Sequence, residues 1–367
     1  MADEIKIGII GVGQIGKQHL RKWREIAGVK VVAACDIDAP ELARVAEEFE
    51  IPRRFERFRD LLAVPEIQAV DVCLHNNLHA PVSIAAMEAG KHVYCEKPMA
   101  GAYVDALRMA QAAQRTGRML HIQLSTLYDD ATLAAKHLID EGRLGRIYYA
   151  KSSFYRRRGR PYVDGYGTSN FVQTAIAGHG ALFDMGVYHI SQVLYLLGNP
   201  AVRTITGSMY QETDMYEHRR RDGHYDVEEF GVGLARLEGG ITLFIEEAWA
   251  VQLGGTDGSK IAGSKGGVSL DPFAFHTTWG DLEFNGTTDL AAARFRWEKC
   301  IPGTTALKSS QAHWLAALKG ETPLLATANL ALATMLISEG IFLSQKLGRE
   351  VTAAEVAAHS VSTALDL

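Results

Sequence analysis

What the chain lacks narrows its class before any motif is read. Only four of its 367 residues are cysteine, Cys35, Cys73, Cys95 and Cys300, and no two of them form a C-x-x-C pair. That spacing excludes a disulfide scaffold and a zinc ribbon, so reduced thiols are expected and no metal ligands. An excess of positive charge is missing too. The 38 Lys and Arg stand against 43 Asp and Glu, a net charge of −5, and no global field gathers a nucleic acid or an anionic lipid. The chain enters an apolar run at Ile5 without a basic segment and an h-region before it, which predicts a cytoplasmic protein. The longest uncharged stretch near the C-terminus, residues 322–338, falls short of the roughly 20 residues of a membrane span. It reads as a buried helix, and no membrane partner is expected.

What is present is an ordinary soluble composition, 47% hydrophobic and 22% charged, in a chain longer than the roughly 250 to 300 residues at which one core stops growing. Two domains follow. Up to about residue 125 short apolar runs (5–10, 29–34, 69–74, 92–95, 119–123) alternate with segments of helical spacing (41–49, 80–89, 105–116). Alternation of this kind predicts an α/β domain, a doubly wound parallel sheet with helices on both faces, over residues 1–125. The rhythm then changes. A helix over 130–141, a strand over 146–154, and two runs flanking Gly239-Gly240 with hairpin character predict an α+β domain over 126–367, built on an antiparallel or mixed sheet. One face of such a sheet needs a cover, and a homo-oligomer, dimer or tetramer, is the expected arrangement. A helix is predicted over 326–347.

Gly11-Val12-Gly13-Gln14-Ile15-Gly16 follows the first strand and opens the first helix. There the glycines serve a tight turn, a close approach of backbone to pyrophosphate, and helix–strand packing. Asp36 ends the second strand 20 residues past Gly16, where a carboxylate takes ribose hydroxyls. It repels a 2′-phosphate, and Ile37-Asp38 offers no arginine to accept one, so NAD is favoured over NADP. Glu96-Lys97-Pro98 closes the strand 92–95 at its carboxyl end, where open α/β sheets place ligands. Asp184 and Tyr188, four apart, share a helical face. A phenol beside a lysine ammonium can pass a proton while hydride leaves a carbinol carbon.

Taken with Asn76-Asn77-Leu78-His79-Ala80, the run 90–98, residues 180–189 followed by Leu196-Leu197-Gly198, and Ser338-Glu339-Gly340, these motifs make the chain resemble the glucose-fructose oxidoreductase, inositol dehydrogenase and rhizopine-catabolism (Gfo/Idh/MocA) oxidoreductases over nearly its whole length. The resemblance implies an N-terminal Rossmann domain and a C-terminal domain with a large, mostly antiparallel open sheet used in oligomer contacts. It implies a catalytic Lys97 and Asp184, and a cofactor-lining loop in which His75, Asn76, Asn77 and His79, with Glu96 and Lys97, meet NAD. Many members carry a histidine four residues after the aspartate; this chain has Tyr188 there and His189 next. The subgroup resembling glucose-fructose oxidoreductase and dimeric dihydrodiol dehydrogenase carries a tyrosine at this position, which implies a proton relay at Tyr188, with His189 as runner-up for a catalytic or substrate role, or else a core hydrogen bond. Ser191 stands where members often have a second aspartate.

Two basic clusters remain, Arg156-Arg157-Arg158-Gly159-Arg160 and His218-Arg219-Arg220-Arg221. Each reads either as a solvated loop or subunit contact, or as an anion site in which guanidinium forks hold carboxylate, phosphate or sulfonate. Arg156, Arg158, Tyr162 of the adjoining loop, and His179 are the substrate-pocket candidates, beside Lys97, Tyr188 and His189. Three functions compete. The first is NAD-dependent oxidation of a secondary hydroxyl of a sugar, cyclitol or related pyranoside, neutral or anionic. The second is a redox-neutral, NAD-dependent glycosidase that oxidises, eliminates and re-reduces. The third is a non-enzymatic dinucleotide sensor, which the joint presence of Lys97 and Tyr188 disfavours.

Overall fold

The computed structural model describes residues 4–255 and 257–367, which fall into two compact units. The first comprises residues 4–123, 305–329 and 362–367. Its six strands are β1 (Ile5–Ile10), β2 (Val29–Cys35), β3 (Arg53–Phe55), β4 (Ala69–Val72), β5 (His92–Cys95) and β6 (Leu120–Ile122). All pair in parallel, in the order β3-β2-β1-β4-β5-β6. Helices α1 (Gln14–Arg24), α2 (Ala39–Glu48), α3 (Phe58–Leu62), α4 (Asn76–Glu88) and α5 (Tyr103–Thr116) connect them. This is the doubly wound order in which β1 and β4 part at the topological switch point. Parallel strands are covered on both faces, and Ile7, Ile9, Val70, Val72 and Val93 are buried accordingly.

The partition expected at residue 125 differs from the observed one. Residues 305–329 return to the first unit because Trp314, wholly buried, packs on Trp23 and Tyr94 at ring-centroid distances of 5.9 and 5.4 Å. The same segment supplies Ser310 and Thr327 to the two ring nitrogens of His121, at 3.0 and 3.1 Å. The last residues are tied down as well. Asp105, in the first turn of α5 and 1% exposed, accepts hydrogen bonds from Ser362 Oγ (2.6 Å), Thr363 N (3.0 Å) and Ala364 N (3.2 Å).

The second unit, residues 124–304 and 330–361, is built on nine strands: β7 (Ile147–Tyr155), β8 (Val202–Tyr210), β9 (Phe230–Leu237), β10 (Ile241–Ala248), β11 (Lys260–Gly263), β12 (Gly267–Leu270), β13 (Phe273–Trp279), β14 (Leu282–Gly286) and β15 (Val351–Thr352). They run in the order β14-β13-β12-β11-β7-β10-β9-β8-β15, antiparallel except for the parallel pair β7–β10. The Gly239-Gly240 turn joins β9 to β10 with both glycines at positive φ, as expected of that hairpin. Burial alternates along β9 and β10, so one face of the sheet is core. Against it lie α6 (Asp130–Asp140), α8 (Ala181–Asp184) and α9 (Gly186–Leu196), with the short α7 (Thr174–Ala177) preceding α8. The helix Thr327–Leu347 is long and apolar enough to cross a membrane by length and composition. Two-thirds of it is buried, and Ile341 fills the space left by Gly207 and Gly233 of the sheet, the packing of a core helix.

Asp105→Ala would leave three donors of the terminal segment without their charged acceptor. It is expected to lower the unfolding free energy by about 2 to 4 kcal/mol, measured by urea titration, while Arg108→Ala, exposed on the same carboxylate, changes it by less than about 1 kcal/mol.

Candidate active site

The glycine turn is shaped by what each glycine faces. Gly11 stands at φ +94°, and a Cβ there would lie 2.3 Å from the Cys73 carbonyl oxygen; one on Gly16 would lie 2.1 Å from the Gly11 oxygen. These two glycines serve the chain's own packing. Gly13 faces open space, with nothing within 4 Å of its Cβ position, and it precedes α1 without a side-chain cap. Gln14 is exposed and Ile15 half-buried on the core below. The first amides of α1 are therefore aimed outward over bare backbone, the arrangement that receives a pyrophosphate.

Asp36 is fixed beside this turn. Its Oδ2 accepts from Val12 N at 2.8 Å and its Oδ1 from Asp38 N at 3.0 Å, which leaves lone pairs on both oxygens for ribose hydroxyls. Ile37 follows, 91% exposed, an apolar surface suited to an adenine face. Asp38 caps α2 through Glu41 N at 3.0 Å. These residues fit NAD, and a carboxylate at position 36 does not fit a 2′-phosphate.

The second loop divides. His75, exposed, precedes α4; Asn76 is half-buried, and Asn77 is buried with its carbonyl accepting from Leu365 N at 3.3 Å. His79 departs from expectation. It is fully buried, with Nδ1 2.7 Å from the Pro98 oxygen and Nε2 3.0 Å from the Leu74 oxygen, so it braces two loops and presents no edge to a cofactor. Glu96 is likewise turned inward. Its Oε1 lies 2.7 Å from His19 Nε2, and its Oε2 accepts from Lys97 N at 3.0 Å, which corrects its assignment as a cofactor contact. Lys97 is half-buried at the carboxyl end of β5 and precedes a cis Pro98.

In the second unit the expected single helical face over 184–188 is two short helices, α8 and α9, meeting at Met185. The loop entering α8 is held by Glu228, whose carboxylate accepts from Gly180 N (2.7 Å) and Leu182 N (3.0 Å) and is pushed up to about 7 by burial. Asp184 accepts from Trp249 Nε1 at 3.0 Å. Tyr188 is half-buried, and its carbonyl accepts from Thr126 Oγ1 at 2.8 Å. His189 has Nδ1 2.9 Å from Glu247 Oε2 and its ring stacked on Phe154, centroids 4.8 Å apart. Glu247 is itself wholly buried and takes a second bond from Ser152 Oγ at 2.7 Å. Because Phe154 and Glu247 are partners across the β7–β10 pair, strand register sets both contacts. Burial works against the imidazolium of His189, but Glu247 outweighs it and raises the pKa above 6.5; Arg156 opposes and Asp129 assists.

The arginine clusters are mostly engaged within the chain. Arg160, wholly buried, meets Asp164 Oδ2 (2.9 Å), Glu229 Oε2 (2.8 Å) and the carbonyls of Thr213 and Asp214 (both 2.8 Å). Arg158 pairs with Asp164 at 3.0 Å and lies over Tyr216 at 4.7 Å. Arg156 donates to Tyr166 Oη at 2.9 Å. Tyr162, at φ +58°, lies under the Arg219 guanidinium at 4.1 Å and bonds it through its carbonyl; Arg220 pairs with Glu217. His179 sits between Phe183 and Phe342, and burial pushes it down to about 4. The residues that sequence reasoning missed are His19, Asp71, Glu247 and Trp249. Only Asp71 carried a signal, a lone carboxylate inside the apolar run Ala69-Val70-Asp71-Val72.

A family model described as an oxidoreductase family with an NAD-binding Rossmann fold matches residues 5–124, and a GFO/IDH/MocA C-terminal domain matches residues 132–269. A D-glucoside 3-dehydrogenase of Escherichia coli (strain K12) is 27% identical over 281 residues, 74% of this chain and 79% of that protein. An inositol 2-dehydrogenase of Salmonella typhimurium is 36% identical over 145 residues, 39% of this chain and 43% of that protein. Among solved structures, a levoglucosan dehydrogenase with NADH and levoglucosan superposes with a TM-score of 0.77 at 21% identity, over 95% of this chain and 99% of that one, a likeness of fold.

The His189–Glu247 pair gives a pH signature. A histidine with a raised folded-state pKa adds stability that is complete below its unfolded value near 6.5 and is lost as pH rises through the folded value. The stability difference between wild type and Glu247→Gln is therefore expected to be largest, about 1 to 3 kcal/mol, below pH 6.5 and to shrink above it, followed by thermal melts across pH 5–9.

Proposed function

The chain belongs to the GFO/IDH/MocA oxidoreductases and carries an NAD-binding Rossmann domain, and we propose that it is a dehydrogenase acting on a secondary ring hydroxyl of a sugar, cyclitol or related pyranoside. One observation carries the reading: the first unit joins a bare glycine turn and a fixed Asp36 to Lys97 at a strand's carboxyl end. Relatives named as a D-glucoside 3-dehydrogenase and inositol 2-dehydrogenases support the substrate class.

Gly13 and the α1 amides would hold the pyrophosphate, and Asp36 the adenosine ribose. When bound, NAD supplies the hydride acceptor. The Lys97 ammonium polarises the carbinol oxygen and lowers its proton affinity, and Tyr188, acting as its phenolate, takes the proton. Asp184, oriented by Trp249, sets the position of Tyr188's neighbourhood, and His189, held by Glu247, offers an N–H donor to a second substrate hydroxyl. A neutral ring polyol is favoured over an anionic glycoside, because Asp164 and Glu229 already neutralise Arg158 and Arg160.

The test is NADH absorbance with a panel of glucosides and inositols. Steady NADH production is expected. Lys97→Ala and Tyr188→Phe should each lower kcat by about 10²- to 10⁴-fold with NAD affinity, measured by fluorescence titration, retained. Glycoside cleavage without NADH would move the redox-neutral reading to the front, and full activity in both variants would remove Lys97 and Tyr188 from the reaction.

A further inference from the structure

The mechanism leaves one charged cluster unused. Beneath the Glu96–Lys97 turn, inside the first unit, the imidazole of His19 lies between two buried carboxylates. Its Nδ1 is 2.9 and 3.1 Å from the two oxygens of Asp71, and its Nε2 is 2.7 Å from Glu96 Oε1. All three residues are at most 5% exposed. Asp71 is saturated from the other side, by Trp23 Nε1 at 2.7 Å and Cys73 Sγ at 3.3 Å. The second oxygen of Glu96 accepts from the backbone N–H of Lys97 at 3.0 Å.

Two features make this more than a satisfied core histidine. Both ring nitrogens face carboxylates, so the imidazole donates at both ends, and two carboxylates around one imidazolium leave a buried negative charge next to the lysine ammonium. Such a cluster costs several kcal/mol of desolvation per ion, and an apolar filling of the same space is often as stable or more so. The cluster also forms an unbroken chain of hydrogen bonds from β4, through α1, to the one backbone amide that sets where Lys97 begins. The sulfur, imidazole and carboxylate atoms of Cys73, His19 and Asp71 lie close enough to suggest a metal, but they meet one another at hydrogen-bond distance.

We propose that His19 is a positioning residue for Lys97: its Nε2 N–H clamps Glu96 and fixes its orientation, and the second oxygen of Glu96 holds the Lys97 backbone and so the starting point of the lysine side chain. The inference rests on the reading that Lys97 acts on the substrate.

The two nitrogens of His19 can be tested apart, because a glutamine amide reaches near Nε2 and an asparagine amide near Nδ1. His19→Gln keeps a donor for Glu96; His19→Asn keeps only one for Asp71. The measurements, on the full chain with NAD, are amide hydrogen exchange of the peptide containing Lys97, kcat and KM from NADH absorbance, and NAD affinity by fluorescence titration. His19→Asn is expected to speed exchange at Lys97 and lower kcat by about ten- to a hundredfold, with KM and NAD affinity near wild type. His19→Gln should stay close to wild type in all of them. Equal losses in the two variants, losses that follow NAD affinity, or wild-type exchange and kcat in His19→Asn would each overturn the proposal. Should His19→Asn fail to fold, Glu96→Gln, which weakens the same link, must raise exchange at Lys97 or the proposal fails. Lys97→Ala run alongside separates the two claims: if it keeps full turnover, the role of Lys97 is wrong, while the exchange data still judge the clamp.

Discussion

The turn at Gly11 has room for no side chain, and the first unit is organised around that constraint. Its amide donates to the Cys35 carbonyl at 2.8 Å while its α-carbon is pressed against the Cys73 carbonyl, so the ends of β1 and β2 and the exit of β4 converge within one turn of chain. The pyrophosphate turn and the ribose carboxylate lie at that convergence. Asp36 leaves β2 there and is caught by Val12 N; α1 starts there and carries His19 down onto Asp71 and Glu96. A Cβ at Gly11 would push the turn off its neighbours and move the helix amides, the ribose carboxylate and the clamp under Lys97 together.

The second unit solves a related problem with a different device. Its candidate site residues Asp184, Tyr188 and His189 sit on two short helices, each too short to be stable alone, and gain their position from the sheet. The parallel pairing of β7 and β10 places Phe154 against Glu247, and both grip His189; Trp249, just past β10, grips Asp184. Glu228 secures the helix entry from the strand side. The buried carboxylates are costly to hold, and each is repaid by two or more directed donors.

How much of this was legible follows the range of the interactions. The glycine turn, Asp36 and the Gly239-Gly240 hairpin are local patterns whose geometry is set within a few residues, and the sequence states them. The His19–Asp71 and His19–Glu96 contacts join residues 52 and 77 apart, and His189–Glu247 joins residues 58 apart; no local period encodes them. Trp314 enters the first unit's core from far along the chain for the same reason, which is why a boundary at residue 125 left it out. The arginine clusters show the opposite error. Their charge is evident in one dimension, but the carboxylates that pair with Arg158 and Arg160, Asp164 and Glu229, are placed by the fold. His79 looked like a ligand because its partners are backbone carbonyls, which carry no signature in a sequence.

In the proposed reaction a carbinol hydrogen of a ring polyol leaves as hydride for NAD. The most direct measurement uses an accepted glucoside or inositol deuterated at single ring carbons, with the isolated reduced cofactor analysed by mass spectrometry. This chemistry requires that deuterium from one ring carbon, and from no other, appears in NADH. Deuterium absent from the cofactor for every labelled carbon, in a reaction that still consumes the substrate, would contradict it.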